Sequence, residues 1–396
     1  MKYRKMASLD WQVSALGFGC MRLPTKKRFM VSTVDVDESI HIIRHGIDLG
    51  INYIDTAWPY HLGASEKILG QALQDGYRER VHLVTKLPMF VVRKAEQFDR
   101  FLNQQLEKLQ TDYLDIYLFH ALNKGQFEKL KSLKLMDKME AAKAKGLIKY
   151  IGFSFHDTLP VFKEIVDYTD WDAVQLQYNY MDTGIQATTE GLTYAYEKGI
   201  AVIAMEPVKG GKLANPPAKA IEIMNTAKNQ RSPVDWALQF LWNRPEVSVV
   251  LSGMGSQKMV DENCASAERS GIDSLNADDA EIISRLAEVY REKILVPCTS
   301  CGYCMPCPTG VNIPQNFAIL NSVSFGDRKW TVRRAYKKLA SSKKRLDKHN
   351  PNGNASMCIK CDKCVEKCPQ QINVPEELEK VHAIVGERGE ISAYYH

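Results

Sequence analysis

The chain reads as an α/β protein, a (β/α)₈ TIM barrel followed by a small, mainly helical module. Three observations predict this. Short β-branched or apolar runs alternate with amphipathic stretches from Ser14 to about Leu251, the pattern of a parallel sheet with crossover helices. At 396 residues the chain exceeds what one core usually holds. Eight of its ten cysteines fall in two groups beyond residue 297. The barrel is expected over residues 1–290 and the second domain over 291–396.

The elements follow in order. Residues Tyr3 to Val13 are expected to form a short hairpin plugging the bottom of the barrel. The strand candidates are SALG (14–17), INYID (51–55), VHLVTK (81–86), LDIYLF (114–119), YIGFS (150–154), AVQLQ (173–177), AVIAM (201–205) and VSVVL (247–251). Between them, stretches such as SIHIIRHGIDLG (39–50) and KLMDKMEAAKAKGL (134–147) repeat apolar residues at helical spacing. Eight strands, each followed by a helix, close the barrel at ~250–300 residues.

Hydrophobic residues make up 45% of the chain and charged ones 25%, ordinary for a soluble globular protein. The basic N-terminus runs into Asp10 and Gln12, not an apolar run, so no signal peptide is read there. No stretch approaches a membrane span. A cytoplasmic address and no membrane partner are expected. The net charge of +5 resides in the tail: residues 298–396 hold 15 Lys+Arg against 9 Asp+Glu, and residues 308–357 hold 10 against 2. Nucleic-acid binding is one reading of such a run. The local reading is preferred, with the excess balancing the negative charge of thiolate-held iron clusters.

A barrel places its chemistry at the carboxyl ends of its strands. The second strand runs into Asp55 and the loop carrying Tyr60, the third ends at Lys86 and the fourth at His120. A lysine inside a barrel is costly to bury unless paired, and Asp55 is the expected partner. Hydride reduction of a carbonyl leaves charge on oxygen, so the site needs a proton donor and an orienting group. Tyr60 suits the first role, with the Lys86 ammonium drawing the phenol towards working pH, and His120 the second.

At these residues the chain resembles an aldo-keto reductase. GFGCMRLP (17–24), DTAWPYHLGASEKILGQAL (55–73), LVTKLP (83–88), DYLDIYLFH (112–120), KYIGFSF (149–155) and VQLQYN (174–179) match that family's landmarks in order and spacing. The resemblance implies a catalytic tetrad of Asp55, Tyr60, Lys86 and His120. It implies cofactor contacts at Gly19, Cys20, Met21 and Arg22, with Ser154 and Gln175 on the carboxamide. Further contacts fall at Met205, Gly210, Gly211, Ser252, Gly253 and Lys258. The chain departs from the pattern at three places. Phe155 replaces the usual asparagine, Met205 replaces the aromatic residue that stacks on the nicotinamide, and Gly255 stands where many NADP-dependent members carry an arginine. Lys258 is the basic substitute at hand. The implied cofactor is NADP(H) or NAD(H), with a flavin in the same pocket as the alternative. No G-x-G-x-x-G follows the first strand, which argues against a Rossmann domain.

Cys358, Cys361, Cys364 and Cys368, followed by Pro369, have the C-x₂-C-x₂-C-x₃-C-P spacing of bacterial four-iron ferredoxins. Cys298, Cys301, Cys304 and Cys307, followed by Pro308, are one residue tighter. Paired C-x₂-C groups also suit zinc, but eight cysteines with a proline after each set fit two [4Fe-4S] clusters better. The module resembles a dicluster ferredoxin of the helical kind. Cys20 and Cys264 are expected as free thiols.

The reading preferred is a nicotinamide-dependent oxidoreductase acting on a small carbonyl or alcohol substrate, with clusters that relay electrons or stabilise the tail. The alternatives are an electron-transfer enzyme linking barrel and clusters through a flavin, and a non-catalytic redox sensor. A redox partner protein is compatible with the first two. Residues 121–130, which would choose the substrate, carry no motif with a mechanism.

Overall fold

The structure, a computed structural model, describes the chain except residues 29–30, 299–303, 344–345, 347–351, 369–371 and 396. A hairpin of β1 (Tyr3–Lys5) and β2 (Gln12–Ser14) precedes the barrel. The barrel strands are β3 (Leu16–Gly19), β6 (Tyr53–Asp55), β7 (His82–Leu87), β8 (Leu114–Leu122), β9 (Ile148–Phe155), β10 (Ala173–Gln177), β11 (Ala201–Met205) and β12 (Val247–Ser252), closed in that order and parallel throughout. All eight expected strands are present. The first differs in extent, because Gln12–Ser14 pairs back with Tyr3–Lys5 and the barrel strand begins at Leu16. A second hairpin, β4 (Thr25–Arg28) with β5 (Val31–Val34), leaves the first strand's loop and was not expected.

Both faces of a parallel barrel are covered, so its strands read as near-continuous apolar runs. The helices that accompany these strands in the chain are α1 (Val36–Asp48), α2 (Ala64–Ala72), α3 (Gln97–Leu109), α4 (Lys124–Ser132), α5 (Leu135–Ala144), α6 (Leu159–Val166), α7 (Thr188–Glu197), α8 (Ala218–Asn225), α9 (Pro233–Trp242), α10 (Gln257–Glu268) and α11 (Ala277–Glu292). Several start on the expected chemistry: the side chains of Asp35, Asn123 and Ser256 accept from the third amide of α1, α4 and α10. Inside, Met6, Leu9 and Val13 of the first hairpin pack with Tyr53, Val84, Ile116 and Val249. Trp11 stacks on His82, which starts β7, at 3.8 Å. The hairpin therefore seals the amino end of the barrel and leaves the carboxyl end for chemistry.

The C-terminal unit has its own core, gathered from α12 (Ile313–Ser324), α13 (Lys329–Lys338), α14 (Val374–Val381) and the one-turn helix His382–Gly386. Phe317, Leu320, Val332, Tyr336, Leu378 and Val381 form its centre. By compactness this unit comprises Pro217–Thr226 with Ser284–His396, and the first comprises Met1–Pro216 with Ala227–Ile283. The boundary expected at residue 290 falls inside α11.

Candidate active site

Asp55 is the last residue of β6, Lys86 the penultimate of β7, and His120 stands near the end of β8. The Lys86 ammonium donates to Asp55 Oδ1 and Oδ2 at 2.7 and 2.6 Å and to the Thr56 carbonyl at 2.9 Å. Both side chains are buried, each 1% exposed. Its Nζ stands 5.3 Å from the centre of the Tyr60 ring, and that ring meets His120 edge-on at 6.1 Å. The four side chains singled out from the sequence therefore lie in one cluster at the carboxyl end of the barrel. Phe90 faces His120 at 6.4 Å and Trp58 faces Phe90 at 6.2 Å, giving the cluster an aromatic rim.

Charge in this cluster is set by burial working against pairing. Burial opposes the Lys86 charge, but Asp55 and Tyr60 outweigh it and hold the ammonium protonated above its ordinary range. For Tyr60 the balance tips the other way. Burial raises the phenol and Lys86 only partly offsets that, so the net shift is upward and not towards neutral pH as expected from the sequence. His120 falls to about 3, through burial first and then the charges of Lys86 and His156. The site holds a neutral phenol, a neutral imidazole and a buried ion pair.

Tyr60 stands on a bend in an unusual conformation. His61, Leu62 and Gly63 have φ of 52°, 56° and 90°. The loop is tied to the one after β3, since His61 Nε2 accepts from the Leu23 amide at 3.2 Å and Ser65 Oγ donates to the Cys20 carbonyl at 3.1 Å.

Behind Lys86 lies a polar network that the sequence reading missed. Glu66 of α2, fully buried, accepts on Oε1 from Thr85 Oγ1 at 2.9 Å and from Gln105 Nε2 at 2.5 Å. Gln105 also donates to the Lys86 carbonyl at 3.1 Å and accepts from the Tyr117 hydroxyl at 2.6 Å. Lys108 pairs with Glu66 Oε2 at 3.2 Å. A carboxylate and an amide on the apolar faces of α2 and α3 were the available signal.

The expected cofactor contacts occupy the same end of the barrel. Ser154 Oγ accepts from the Ala121 amide at 2.8 Å, leaving its own proton to give. Gln175 is 1% exposed and its Oε1 has no partner among the described residues. Met205 ends β11 and is half-buried, whereas Phe155 turns outward to pack on Phe162 at 5.0 Å between ring centres. Gly19 and the buried Cys20 close the first strand, with Met21 exposed beside them. Arg22 crosses Gly253 so closely that a Cβ there would stand 2.8 Å from Arg22 Cγ, and a Cβ at Gly210 would stand 3.9 Å from its guanidinium. Gly211 follows with φ 96°. Ser252 accepts from Asn263 Nδ2 at 3.1 Å, and Lys258 lies exposed on α10 facing Glu262 at 3.7 Å.

In the C-terminal unit a cavity is lined by Cys304, Cys307, Cys358, Cys361 and Cys364, with Lys363 and Lys367 at its wall. Cys307 sits near enough to Cys358 and Cys364 to raise both thiols, after burial. Thr309 Oγ1 contacts Cys307 Sγ at 3.4 Å, and the Lys360 amide donates to Cys358 Sγ at 3.5 Å. Cys298 and Cys368 pack against the same core, and Cys301 lies outside the described residues. Among the described residues no three His, Cys, Asp or Glu gather closely enough to hold a single metal ion. Cys20 and Cys264 are buried and in no disulfide.

A parallel barrel with an ion pair, a phenol and an imidazole at its carboxyl end defines an oxidoreductase class. Residues 15–287 match the aldo/keto reductase family model, and residues 297–374 match that of the 4Fe-4S dicluster domain. The chain belongs to the aldo/keto reductase family and carries a 4Fe-4S dicluster domain at its C-terminal end. It is 27% identical over 307 residues to L-galactose dehydrogenase of Arabidopsis thaliana, covering 72% of this chain and 94% of that one. It is 25% identical over 336 residues to NADH-specific methylglyoxal reductase of Escherichia coli, covering 74% and 100%. Its fold superposes on aldo-keto reductase AKR11C1 from Bacillus halodurans in the holo form with a TM-score of 0.61, at 26% identity over 72% of this chain and 96% of that one. Among the described residues no helix is long and apolar enough to cross a membrane.

Proposed function

We propose that the barrel interconverts a small aldehyde or ketone and its alcohol with a nicotinamide cofactor, and that the tail holds two [4Fe-4S] clusters. The observation that carries the first part is the buried Lys86–Asp55 pair beside a Tyr60 phenol that burial keeps protonated. Tyr60 gives its proton to the carbonyl oxygen as charge develops there. Lys86 steadies the phenolate left behind, Asp55 holds Lys86 charged and in place, and neutral His120 donates a hydrogen bond to the same oxygen. A bound nicotinamide would supply the hydride. The residues present suit it. Gln175 Oε1 is a buried acceptor without a donor among the described residues, and Ser154 has a hydroxyl proton to give. Lys258 would be the residue to read a 2′-phosphate, and a relative named for NADH leaves the choice between NAD and NADP to measurement.

Tyr60→Phe tests the reading. Turnover of a generic aldehyde should fall by two or more orders of magnitude while cofactor affinity stays nearly unchanged; unaltered turnover removes Tyr60 as the acid.

For the clusters, Cys307 grouping with Cys358, Cys361 and Cys364 supports a crossed arrangement, in which each group of four lends its last cysteine to the other cluster. Cys298, Cys301, Cys304 and Cys368 would hold the second cluster. Met205, non-aromatic where a nicotinamide would stack, favours a second reading with a flavin at the barrel mouth. Hydride transfer moves two electrons and an iron–sulfur cluster takes one, so an obligatory relay between them needs such an intermediary. Anaerobic addition of NADH or NADPH separates the two: cluster bleaching with flavin present favours the relay, and aldehyde turnover with oxidised clusters favours the simple reductase.

A further inference from the structure

The basic run between the cysteine groups folds into α13 (Lys329–Lys338), and its two faces differ sharply. Val332 and Tyr336 are buried in the module's core. On the far side Trp330, Arg334, Lys337 and Lys338 fall at positions i, i+4, i+7 and i+8, one face of a helix. Trp330 is 59% exposed, and Arg334, Lys337 and Lys338 are exposed as well. Among the described residues, none of these three cations has an ion-pair partner, whereas Lys329, Lys360 and Lys380 of the same unit each have one. The acidic group that α13 does engage, Glu390, pairs with Lys329 at its first turn. The lysines that line the cysteine cavity are Lys363 and Lys367. The charge of α13 is therefore not spent on the cavity wall.

The inner face of the same helix reaches the cysteine loop. Tyr336 packs in the same core as Ala355 and Cys358 while its hydroxyl bonds to His382 Nδ1 at 2.9 Å, and the Ala355 carbonyl accepts from the Cys358 amide at 3.0 Å. One helix thus presents cations without ion-pair partners and an exposed indole outward, and packs inward in the core that also holds Ala355 and Cys358.

We infer that the outer face of α13 is the docking surface for a small acidic one-electron carrier protein, which exchanges electrons with the clusters of this module. The inference rests on the reading that the tail holds clusters. Charge complementarity selects the partner: three unpaired cations on one short helix attract an acidic surface and speed encounter, and Trp330, one turn before them on the same face, supplies the apolar anchor that interfaces favour. In the exchange one electron leaves the reduced carrier, which becomes oxidised, and one oxidised cluster takes it up; no bond or proton changes place. This supplies the single electrons that a hydride donor does not.

The test uses the full-length, cluster-loaded protein under anaerobic conditions, with a small acidic [2Fe-2S] ferredoxin, reduced beforehand, as the probe. Stopped-flow bleaching of the four-iron absorbance should be fast at low salt and slow steeply as salt rises. R334E/K337E/K338E should slow it at least tenfold, while chemical reduction by dithionite proceeds as in the unaltered protein. The charge-neutralising R334Q/K338Q, which disturbs the helix less, should slow it by a smaller factor. Equal rates in all three proteins overturn the inference. So does a protein that dithionite reduces but the ferredoxin does not, or a duplex DNA that binds through these residues while electron exchange ignores them. Absence of iron would instead overturn the reading of the tail as a cluster module.

Discussion

Burial holds the Tyr60 phenol above its ordinary range against the pull of Lys86, which gives the two directions of the reaction different pH behaviour. Reduction needs the proton on the phenol, so its kcat/KM should be flat through neutral pH and fall only above about pH 10. Oxidation of an alcohol needs the phenolate, and its kcat/KM should climb about tenfold per pH unit below that point. A plateau in the oxidation profile near neutrality would mean that Lys86 wins over burial after all. The next residues in the chain argue for strain. Leu62 is fully exposed at φ 56°, a conformation costing a non-glycine residue about 1–2 kcal/mol. Leu62→Gly removes that cost and adds about 0.5–1 kcal/mol of unfolded-state freedom. It should therefore stabilise the chain slightly in thermal melts, and a clear loss would show that Leu62 makes a contact worth more than the strain. At this scale the sequence was legible where the barrel rule applies: Asp55, Lys86 and His120 end strands, and such ends converge. It was silent on Glu66 and Gln105, because their partners Thr85 and the Lys86 carbonyl lie on β7, between the two helices, and helical periodicity does not say which buried polar groups of neighbouring elements will meet.

Among the elements, α2 and α3 carry this hidden support, Glu66 on one and Gln105 with Lys108 on the other. Their approach depends on Gly70. A Cβ there would stand 2.4 Å from the Lys108 carbonyl oxygen and 2.8 Å from the Leu109 carbonyl carbon, both backbone atoms that cannot swing aside. Alanine normally gains about 0.5–1 kcal/mol over glycine in a helix, but overpacking of this kind costs about 1–3 kcal/mol. Gly70→Ala should therefore lower stability by roughly 1–2 kcal/mol in denaturant titration. Because α3 must retreat to admit the methyl group, it should also weaken the Gln105 bond behind Lys86 and reduce kcat. Unchanged stability would mean that the helices separate without loss. The pattern of apolar residues predicts both helices but not their separation, which a glycine on the inner face of α2 sets. The β4–β5 hairpin was likewise unreadable: TKKR and VSTV carry no apolar alternation, and their pairing is fixed by the loop that leaves β3.

At the scale of the whole chain, the compact units do not follow the order of the sequence. The compact C-terminal unit includes Pro217–Thr226, a segment that lies between two barrel strands in sequence, and α11 runs through the division at residue 283. Within that unit Lys219 of α8 pairs with Glu292 at 2.7 Å, and Ile223 and Val289 line a groove between their helices. Tyr290 stacks on Phe325 at 6.1 Å, and Asn321 Oδ1 accepts from the Val296 amide at 3.0 Å. A chain ending at residue 290, the boundary that sequence suggests, would keep α8 and the buried Tyr290 but lose Glu292, Phe325 and Asn321. Uncovering one to three apolar side chains costs about 1.5–3 kcal/mol each, so the shortened chain should melt several degrees lower and aggregate more readily. The control is the full-length chain with the eight cysteines of the two groups changed to serine, which removes the proposed cluster ligands but keeps these contacts. If the shortened chain melts below that control, these contacts within the C-terminal unit contribute stability separately from any cluster. If the two melt together, the clusters carry the effect, and if neither differs from the intact protein the tail serves electron exchange alone.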